Sequence, residues 1–537
     1  MSRAWRWEAA GAAALAAAAL APAADCDLWW HLSAGRLLLD EGAVPRADWL
    51  SWTRHGAPWV DFEWLAQAAF AATHLVGGVA GLWALKVLLL AAAGAGVLAL
   101  ARAAALAAPG RAAALALFGA GVLPRADVRA ELFSLALFAW LAAALERRRA
   151  AGWRPERLGP ALAGTAALFA LWANLHAGFA MGLALAAAYA LDAAVSGRRA
   201  WLWLPAVGAA AASLNPYGLG LWGALREHAR DAGALSGLIL EWGPAVLTRL
   251  SHAGAWSVTA AAAAVVFLCA RRGRLPAAPE LFALALAAST LRHIRLCGYA
   301  AALAPLAAAA AARAAHGLWE RELPRRLAAA LCGAAFALAL VAARPWRSAL
   351  SVYDPVLVPD AAAAWLARRP ELAPLRMYNP WSWGGYLGWR LGRPVYQDGR
   401  YLFHALLAEQ ADAVRSPEAW GALLERRGVE LALLEDEPLM RPSRWVGQDG
   451  RETPVQRPYY VSYMPRERWA LVWADGKALV FVRRDRLPDG VAELRWLKPR
   501  DGAALALARA AGLVDEAALA AERERQAREL AELPAEF

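Results

Sequence analysis

Cysteine is scarce, with four in 537 residues, at Cys26, Cys269, Cys297 and Cys332, three of them inside apolar runs. Positions so scattered have no metal-ligand spacing, which excludes a disulfide framework and a structural zinc site. Charge is also scarce, at 19% of residues, against 60% hydrophobic residues and 28 Trp. That balance excludes a disordered chain and exceeds the apolar share of an ordinary soluble domain. No sequence period of roughly 20–50 residues recurs, so a repeat architecture is not expected.

The charge that is present is uneven. The first 350 residues carry 31 basic and 19 acidic side chains, and the rest carry 26 and 27. An excess confined to an Ala/Leu-rich half is not how nucleic-acid binders are built, so no nucleic-acid partner is expected. It matches short cytoplasmic loops between membrane spans. Eleven spans are predicted, near 9–24, 79–103, 111–124, 131–146, 158–174, 177–195, 199–213, 255–270, 278–291, 296–313 and 326–343. Several are shorter than the roughly 20 residues a crossing helix needs. The first run reads as a retained span rather than a signal peptide, because no clean cleavage site separates it from the Asp25-Cys26-Asp27 motif.

With the N-terminus cytoplasmic, the cytoplasmic segments hold 18 basic residues and the opposite segments 12, which favours that orientation. An odd span count then places the C-terminal part outside, in the periplasm of a bacterial chain. From Pro345 the pattern becomes soluble. Strand-like pieces are expected in 376–402 around a Gly384-Gly385 turn, at Val429–Leu434, and at Trp469–Arg483 with Asp475-Gly476 as hairpin turn. Two helices separated near Gly512 come next, over 501–532. The expected fold is an α-helical polytopic membrane domain over 1–344 and a soluble α/β domain over 345–537.

Every unusual polar cluster in the membrane half falls at an outward end, while plain Arg runs lie on the other side. The clusters are Asp25-Cys26-Asp27 before Trp29-Trp30-His31; Asp61-Phe62-Glu63-Trp64; Arg125 to Glu131; Asn174-Leu175-His176; Asn215-Pro216-Tyr217-Gly218; Glu241-Trp242; and Arg292-His293-Ile294-Arg295. Ionisable groups at membrane depth are costly and mark a site or a water-filled cavity. Helix caps, interfacial anchors and satisfied ion pairs are the alternative for any one of them. Asp25 and Asp27, two apart on an extended segment, point the same way and suit a divalent metal such as Mg or Mn, or one of them serves as general base. An N-cap by Asp27 on a helix starting near Trp29 is the plain alternative. His176 and His293 are candidates for a metal or a phosphate, and equally for ordinary hydrogen bonds. Asn174 and Asn215 also fit helix ends.

These residues resemble a family. An acidic pair directly after the first span, followed by an interfacial helix, is the mark of the GT-C superfamily of membrane glycosyltransferases, which includes protein O-mannosyltransferases, aminoarabinose transferases and oligosaccharyltransferase catalytic subunits. Asp25-Cys26-Asp27-Leu28-Trp29-Trp30-His31-Leu32, Pro58-Trp59 and Glu63-Trp64-Leu65 look like a bacterial subgroup of such proteins. So do the Asn174, Asn215, Glu241 and Arg292 clusters, Asn379, Gly384-Gly385-Tyr386-Leu387 and Asp398-Gly399-Arg400. The resemblance runs from about residue 9 to residue 485. Cys26 stands where the pattern has Pro, Phe62 where it has His, and Ala130 where it has Pro.

The resemblance implies inverting transfer of a sugar on the outer face of the bacterial inner membrane. The donor would be a polyprenyl-phosphate-linked sugar, and the acceptor a protein, lipid or glycan. Asp25, Asp27 and Glu63 would form the catalytic set. Arg292 and Arg295, expected three apart on one helical face, would grip the donor phosphate, with Arg129 and His293 beside them. His31, Asn174, His176, Asn215 and Glu241 would line the cavity, among membrane lipids. Two rival readings are a sugar-lipid transporter, which would want inverted repeats and polar groups near the midplane, and a GT-C-like binding or scaffold protein without catalysis.

Overall fold

The computed structural model describes residues 4–533 apart from 236, 238, 240–241, 317–320, 347–351, 449, 496–497 and 499. The chain divides into two compact units. The first comprises Met1–Asp25, Ala34–Arg46 and Val60–Asp354, and the second Cys26–Ser33, Ala47–Trp59 and Pro355–Phe537.

The alanine-rich apolar stretches of the first unit form helices, which satisfy their backbone hydrogen bonds internally as an apolar medium demands. In order they are α1 (Ala4–Ala19), α2 (Leu28–Glu41), α3 (Trp64–Ala103), α4 (Ala108–Gly121), α5 (Glu131–Ala150), α6 (Leu158–Trp172) and α7 (Phe179–Val195). Then come α8 (Trp203–Ala212), α9 (Gly220–Leu235), α10 (Ala253–Arg271), α11 (Ala278–Ser289), α12 (Cys297–Ala302), α13 (Ala304–Ala314) and α14 (Glu322–Ala343). Each of the eleven predicted runs finds a helix, but their number as spans is not supported by length. Among the described residues, three helical stretches are long and apolar enough to cross a membrane: Trp64–Ala103, Leu250–Arg271 and Pro324–Ala343. The pair α12–α13, bent by 55°, makes a fourth if it is one span.

Two breaks have local causes. Gly78, inside α3, takes φ 56° and ψ −150°, a conformation open to glycine. It separates an N-terminal arm from the apolar run predicted from residue 79. Between α12 and α13 stands Leu303, and Pro305 in the first turn of α13 lacks an N–H and crowds the preceding turn. The core joins Leu15, Leu90, Val97, Phe118 and Phe138 with Phe169, Trp172, Tyr189 and Trp201. Where α1 meets α4, Gly11 lies on the backbone of Ala112 and Gly119 on that of Ala14 and Leu15; side chains there would push the helices apart.

The second unit carries strands β1 (Met377–Tyr378), β2 (Leu431–Glu435), β3 (Met440–Val446), β4 (Glu452–Pro458), β5 (Trp469–Ala474) and β6 (Ala478–Arg483). One sheet runs β1-β2-β6-β5, with β1–β2 parallel and the other pairs antiparallel, and β3–β4 form a separate ribbon. The hairpin at Asp475-Gly476 is present. The Asp475 carboxylate accepts the N–H groups of Lys477 and Ala478 at 2.9 and 2.7 Å, and Gly476 has φ 84°. Buried throughout, Leu431–Leu434 and Leu479–Val482 read as continuous apolar runs.

The helices of this unit are α15 (Asp360–Ala367), α16 (Gly384–Leu391), α17 (His404–Ala413), α18 (Pro417–Arg426), α19 (Tyr460–Tyr463), α20 (Gly502–Ala510) and α21 (Glu516–Ala531). The last two flank Gly512 as expected. The expectation for 376–402 holds in part: one strand piece forms, at Met377–Tyr378, but Gly384 and Gly385 open helix α16 and make no turn. These glycines serve close approach instead, since a side chain on Gly384 would strike the Gln397 carbonyl and one on Gly385 would press on the Trp30 N–H.

Candidate active site

In the first unit, the segment after α1 is held from two sides. Trp83 Nε1 donates to the Ala21 carbonyl at 2.8 Å, and Lys86 Nζ donates to the same oxygen. The Ala24 N–H donates to both oxygens of Asp127, at 3.2 and 3.0 Å. The next residue, Asp25, is buried and ion-paired with Arg129. Arg129, expected at a donor phosphate, is thus engaged with Asp25. Close by in sequence, Arg125 and Glu131 form a second pair at 2.6 Å. Lys86 is absent from the expected set; a buried lysine inside an apolar run is the signal that points to it.

Glu63 immediately precedes α3, and its carboxylate Oε1 lies 3.6 Å from His176 Nε2. The other ring nitrogen, Nδ1, is 2.9 Å from Ser134 Oγ and accepts the Gly178 N–H at 2.9 Å. Trp172 Nε1 donates to Ser134 Oγ at 2.6 Å. In this turn between α6 and α7, burial pushes the His176 imidazole down to about 4; Glu131 works against that shift, and Arg295 and Arg125 reinforce it. Asn174 and Asn215 have structural partners. The Asn174 amide donates to the carbonyls of Ala170 and Leu214 at 2.7 and 2.9 Å and accepts from Trp64 Nε1 at 2.8 Å. Asn215 donates to the Ala212 and Gly218 carbonyls and accepts the Tyr217 N–H.

Arg292 and Arg295 do not share a helical face. Helix α11 ends at Ser289, Arg292 is exposed in a turn, and His293 between the two arginines is extended, with φ −137° and ψ 94°. Arg295 lies in a short 3₁₀ turn with its guanidinium 4.4 Å from the centre of the Trp242 ring, and His293 Nδ1 faces the Trp242 carbonyl at 3.1 Å. Glu241 lies outside the described residues.

The second unit holds two of the expected residues, Asp27 and His31. The Asp27 carboxylate lies directly against Gly399, in a space that any side chain on Gly399 would fill. The adjoining Arg400 is buried. Its Nε and one terminal nitrogen donate to the two oxygens of Asp398, both at 2.8 Å, and that same nitrogen reaches Asp48 at 2.5 Å. The other terminal nitrogen, Nη1, makes no hydrogen bond. The guanidinium is stacked among Trp59, Phe403 and Trp49, at 4.8, 5.5 and 5.7 Å from the ring centres. Burial works against its charge, but Asp398 and Asp48 outweigh it and hold its pKa above the usual arginine value. His31 is buried with its ring centre 3.7 Å from that of Trp30. Asn379, buried, donates to the carbonyls of Gln397 and Pro380 and accepts the Tyr396 N–H, which ties the loop rather than facing a ligand.

One cluster has no counterpart among the sequence expectations, which treat Arg147–Arg149 as a plain loop run. Arg149 is drawn inward among Glu146, Asp192 and Glu280, at 3.2, 3.5 and 3.0 Å, and Arg313 pairs with Glu280 as well. Tyr189 donates to Glu146 at 2.9 Å. Polar clusters are therefore not confined to one end of the helices. The members come from α5, α7, α11 and α13, so no local spacing reveals them.

No family model matches the chain, and no curated protein matches it. Among solved structures, the Archaeoglobus fulgidus oligosaccharyltransferase in its apo form is similar over 85% of this chain and 75% of its own, with TM-score 0.51 and 12% identity. ArnT from Cupriavidus metallidurans, bound to undecaprenyl phosphate, aligns over 90% and 98% with TM-score 0.46 and 14% identity. The first likeness extends to most of both chains, and on it the chain shares the overall fold of that oligosaccharyltransferase, the GT-C fold.

Proposed function

We propose that this protein is an inverting membrane glycosyltransferase. It takes a sugar from a polyprenyl-phosphate donor to an acceptor at the outer face of a bacterial inner membrane, with the second unit periplasmic. The observation that carries this reading is the placing of the first-loop carboxylates: Asp25 pairs with Arg129, Glu63 lies 3.6 Å from His176, and Asp27 rests on Gly399. Nucleotide sugars are absent outside the cell, so the donor is lipid-linked. Asp27 takes the proton of the acceptor hydroxyl as its oxygen bonds to the anomeric carbon. The bond from that carbon to the phosphate oxygen breaks on the opposite face, and the lipid phosphate leaves with the electron pair. Arg295 and the exposed Arg292 supply the cationic partners for that phosphate.

A divalent metal, Mg or Mn, held by Asp25 and Asp27 is the second reading. Their oxygens suit a hard cation, while Arg129, already paired with Asp25, competes with it. The decisive assay is transfer from a synthetic polyprenyl-phosphate sugar in reconstituted vesicles, with and without EDTA. Asp27→Asn should insert and fold normally yet lose about a hundredfold in rate, the scale of general-base loss. Wild-type transfer by that variant would remove Asp27 from the chemistry. Orientation rests on the 18 basic residues against 12; reporters at Gly152 and at the C-terminus should read cytoplasmic and periplasmic, and agreement between them would overturn it.

A further inference from the structure

We propose that Ser134 and Gly178 lock His176 into the tautomer whose only ring proton is on Nε2, so that His176 is a dedicated donor that positions the Glu63 carboxylate. The inference deepens the transferase reading by giving the Glu63 site its supporting residues. It starts from a hydrogen bond that cannot be reversed. The Gly178 backbone N–H donates to His176 Nδ1 at 2.9 Å, so Nδ1 carries a lone pair and no proton. Ser134 Oγ, 2.9 Å from the same nitrogen, accepts the indole N–H of Trp172 at 2.6 Å and turns its own proton toward Nδ1. The direction of the chain is thereby set from Trp172 through Ser134 to His176.

A neutral imidazole with an unprotonated Nδ1 must carry its proton on Nε2. That nitrogen faces Glu63 Oε1 at 3.6 Å, a separation that a small movement on substrate binding closes into a hydrogen bond. The neutral ring suits the task. An imidazolium would neutralise Glu63 and oppose proton acceptance, whereas a neutral N–H orients the carboxylate and leaves its charge. The arrangement also excludes one role considered for His176, that of a metal ligand. With Nδ1 taken by two donors and Nε2 protonated, the ring has no lone pair for a metal.

Gly178 has a second, steric reason to be glycine. A β-carbon there would lie 2.7 Å from Ser134 Cβ and strike Ser134 Oγ and the Tyr299 hydroxyl. Its backbone is ordinary, with φ −59° and ψ −11°, so the constraint is the packing of the donor chain and not the backbone conformation.

The test is ¹⁵N spectroscopy of the full-length protein labelled at histidine, with the His176 signals identified by their loss in His176→Gln. A pyridine-type Nδ1 and a pyrrole-type Nε2 are expected at neutral pH, with Glu63→Gln shifting the Nε2 signal. A pyrrole-type Nδ1, or an imidazolium, would overturn the proposal. Gly178→Ala should mix the tautomers, and an unaltered spectrum in that variant counts against it. In the transfer assay, His176→Leu should lower turnover by on the order of 10²-fold through misplacement of Glu63, with His176→Gln, which keeps a donor at the same reach, recovering most of it. In a Glu63→Gln background the Leu substitution should add nothing; additive losses would sink the positioning role. Absence of transfer by the wild-type protein itself would strike the transferase reading, while the spectra still decide the tautomer.

Discussion

Gly399 holds Asp27 by having no side chain: the Asp27 carboxylate occupies the place where a β-carbon of Gly399 would stand. The residues are separated by most of the chain yet lie in the same compact unit. The C-terminal unit is therefore built around the first-loop acid, and the Asp398-Gly399-Arg400 turn is part of its setting.

Gly399→Ala should displace the Asp27 carboxylate without straining the backbone, since Gly399 does not have a positive φ. Overpacking of this kind costs about 1–3 kcal/mol, so the variant should fold, with its unfolding midpoint modestly lowered. Transfer should fall at least about tenfold, because proton abstraction depends on the placing of the base. Full activity in Gly399→Ala would separate Asp27 from the reaction.

Arg400 sets a larger stability prediction. Its removal leaves Asp48 and Asp398 buried with no cation, and breaking a buried pair from one side costs about 3–5 kcal/mol. Arg400→Ala should therefore lower the denaturation midpoint severely. Arg400→Lys, which keeps charge but not the two-pronged geometry or the ring stacking, should fall between. Equal stability of the lysine variant and the wild type would show that charge alone is needed.

Within the run Arg147–Arg149, the three arginines should not behave alike. Arg149 answers three carboxylates, and Arg149→Ala should cost about 3 kcal/mol or more. Arg148 donates to the Ala144 carbonyl at 3.0 Å, and its loss should cost about 1 kcal/mol or less. Thermal unfolding in detergent measures both, and matching losses would dissolve the buried cluster as an explanation.

His176 gives a pH dependence with a definite sign. Its ordinary value of 6.5 is lowered to about 4 by burial, so between those values the unfolded chain binds a proton that the folded chain does not. Stability contributed by this residue is present above about pH 6.5 and is lost as pH falls toward 4. The wild type should lose more of its unfolding midpoint between pH 7.5 and pH 4.5 than His176→Gln does. Parallel profiles would show that His176 titrates normally.

Sequence patterning found what is local. Apolar runs located the helices, although the run predicted from residue 79 gave no sign of the helical arm that precedes it from Trp64. The Asp475-Gly476 hairpin was readable because one residue supplies the turn acceptor and the next a positive φ. What could not be read is pairing across the chain. Nothing near Arg149 announces Asp192, Glu280 or the neighbouring Arg313, and nothing near Asp48 announces Arg400. The same limit applies to Arg129, whose basic charge suggested a phosphate and gave no sign of its ion pair with Asp25. Gly384 and Gly385 misled for a different reason: glycine marks both turns and close contacts, and only the neighbours tell which.

Asp48 and Arg400 are 352 positions apart, and this has a consequence for biogenesis. A ribosome adding about 5–20 residues per second needs roughly 20–70 s to travel between them. Throughout that interval the first loop has been made while its guanidinium partner has not. The nascent chain must therefore carry Asp27 and Asp48 in an unfinished setting until the last third of the polypeptide arrives. A product truncated before Arg400 would keep every helix of the first unit and still leave the Asp48 carboxylate without its buried cation.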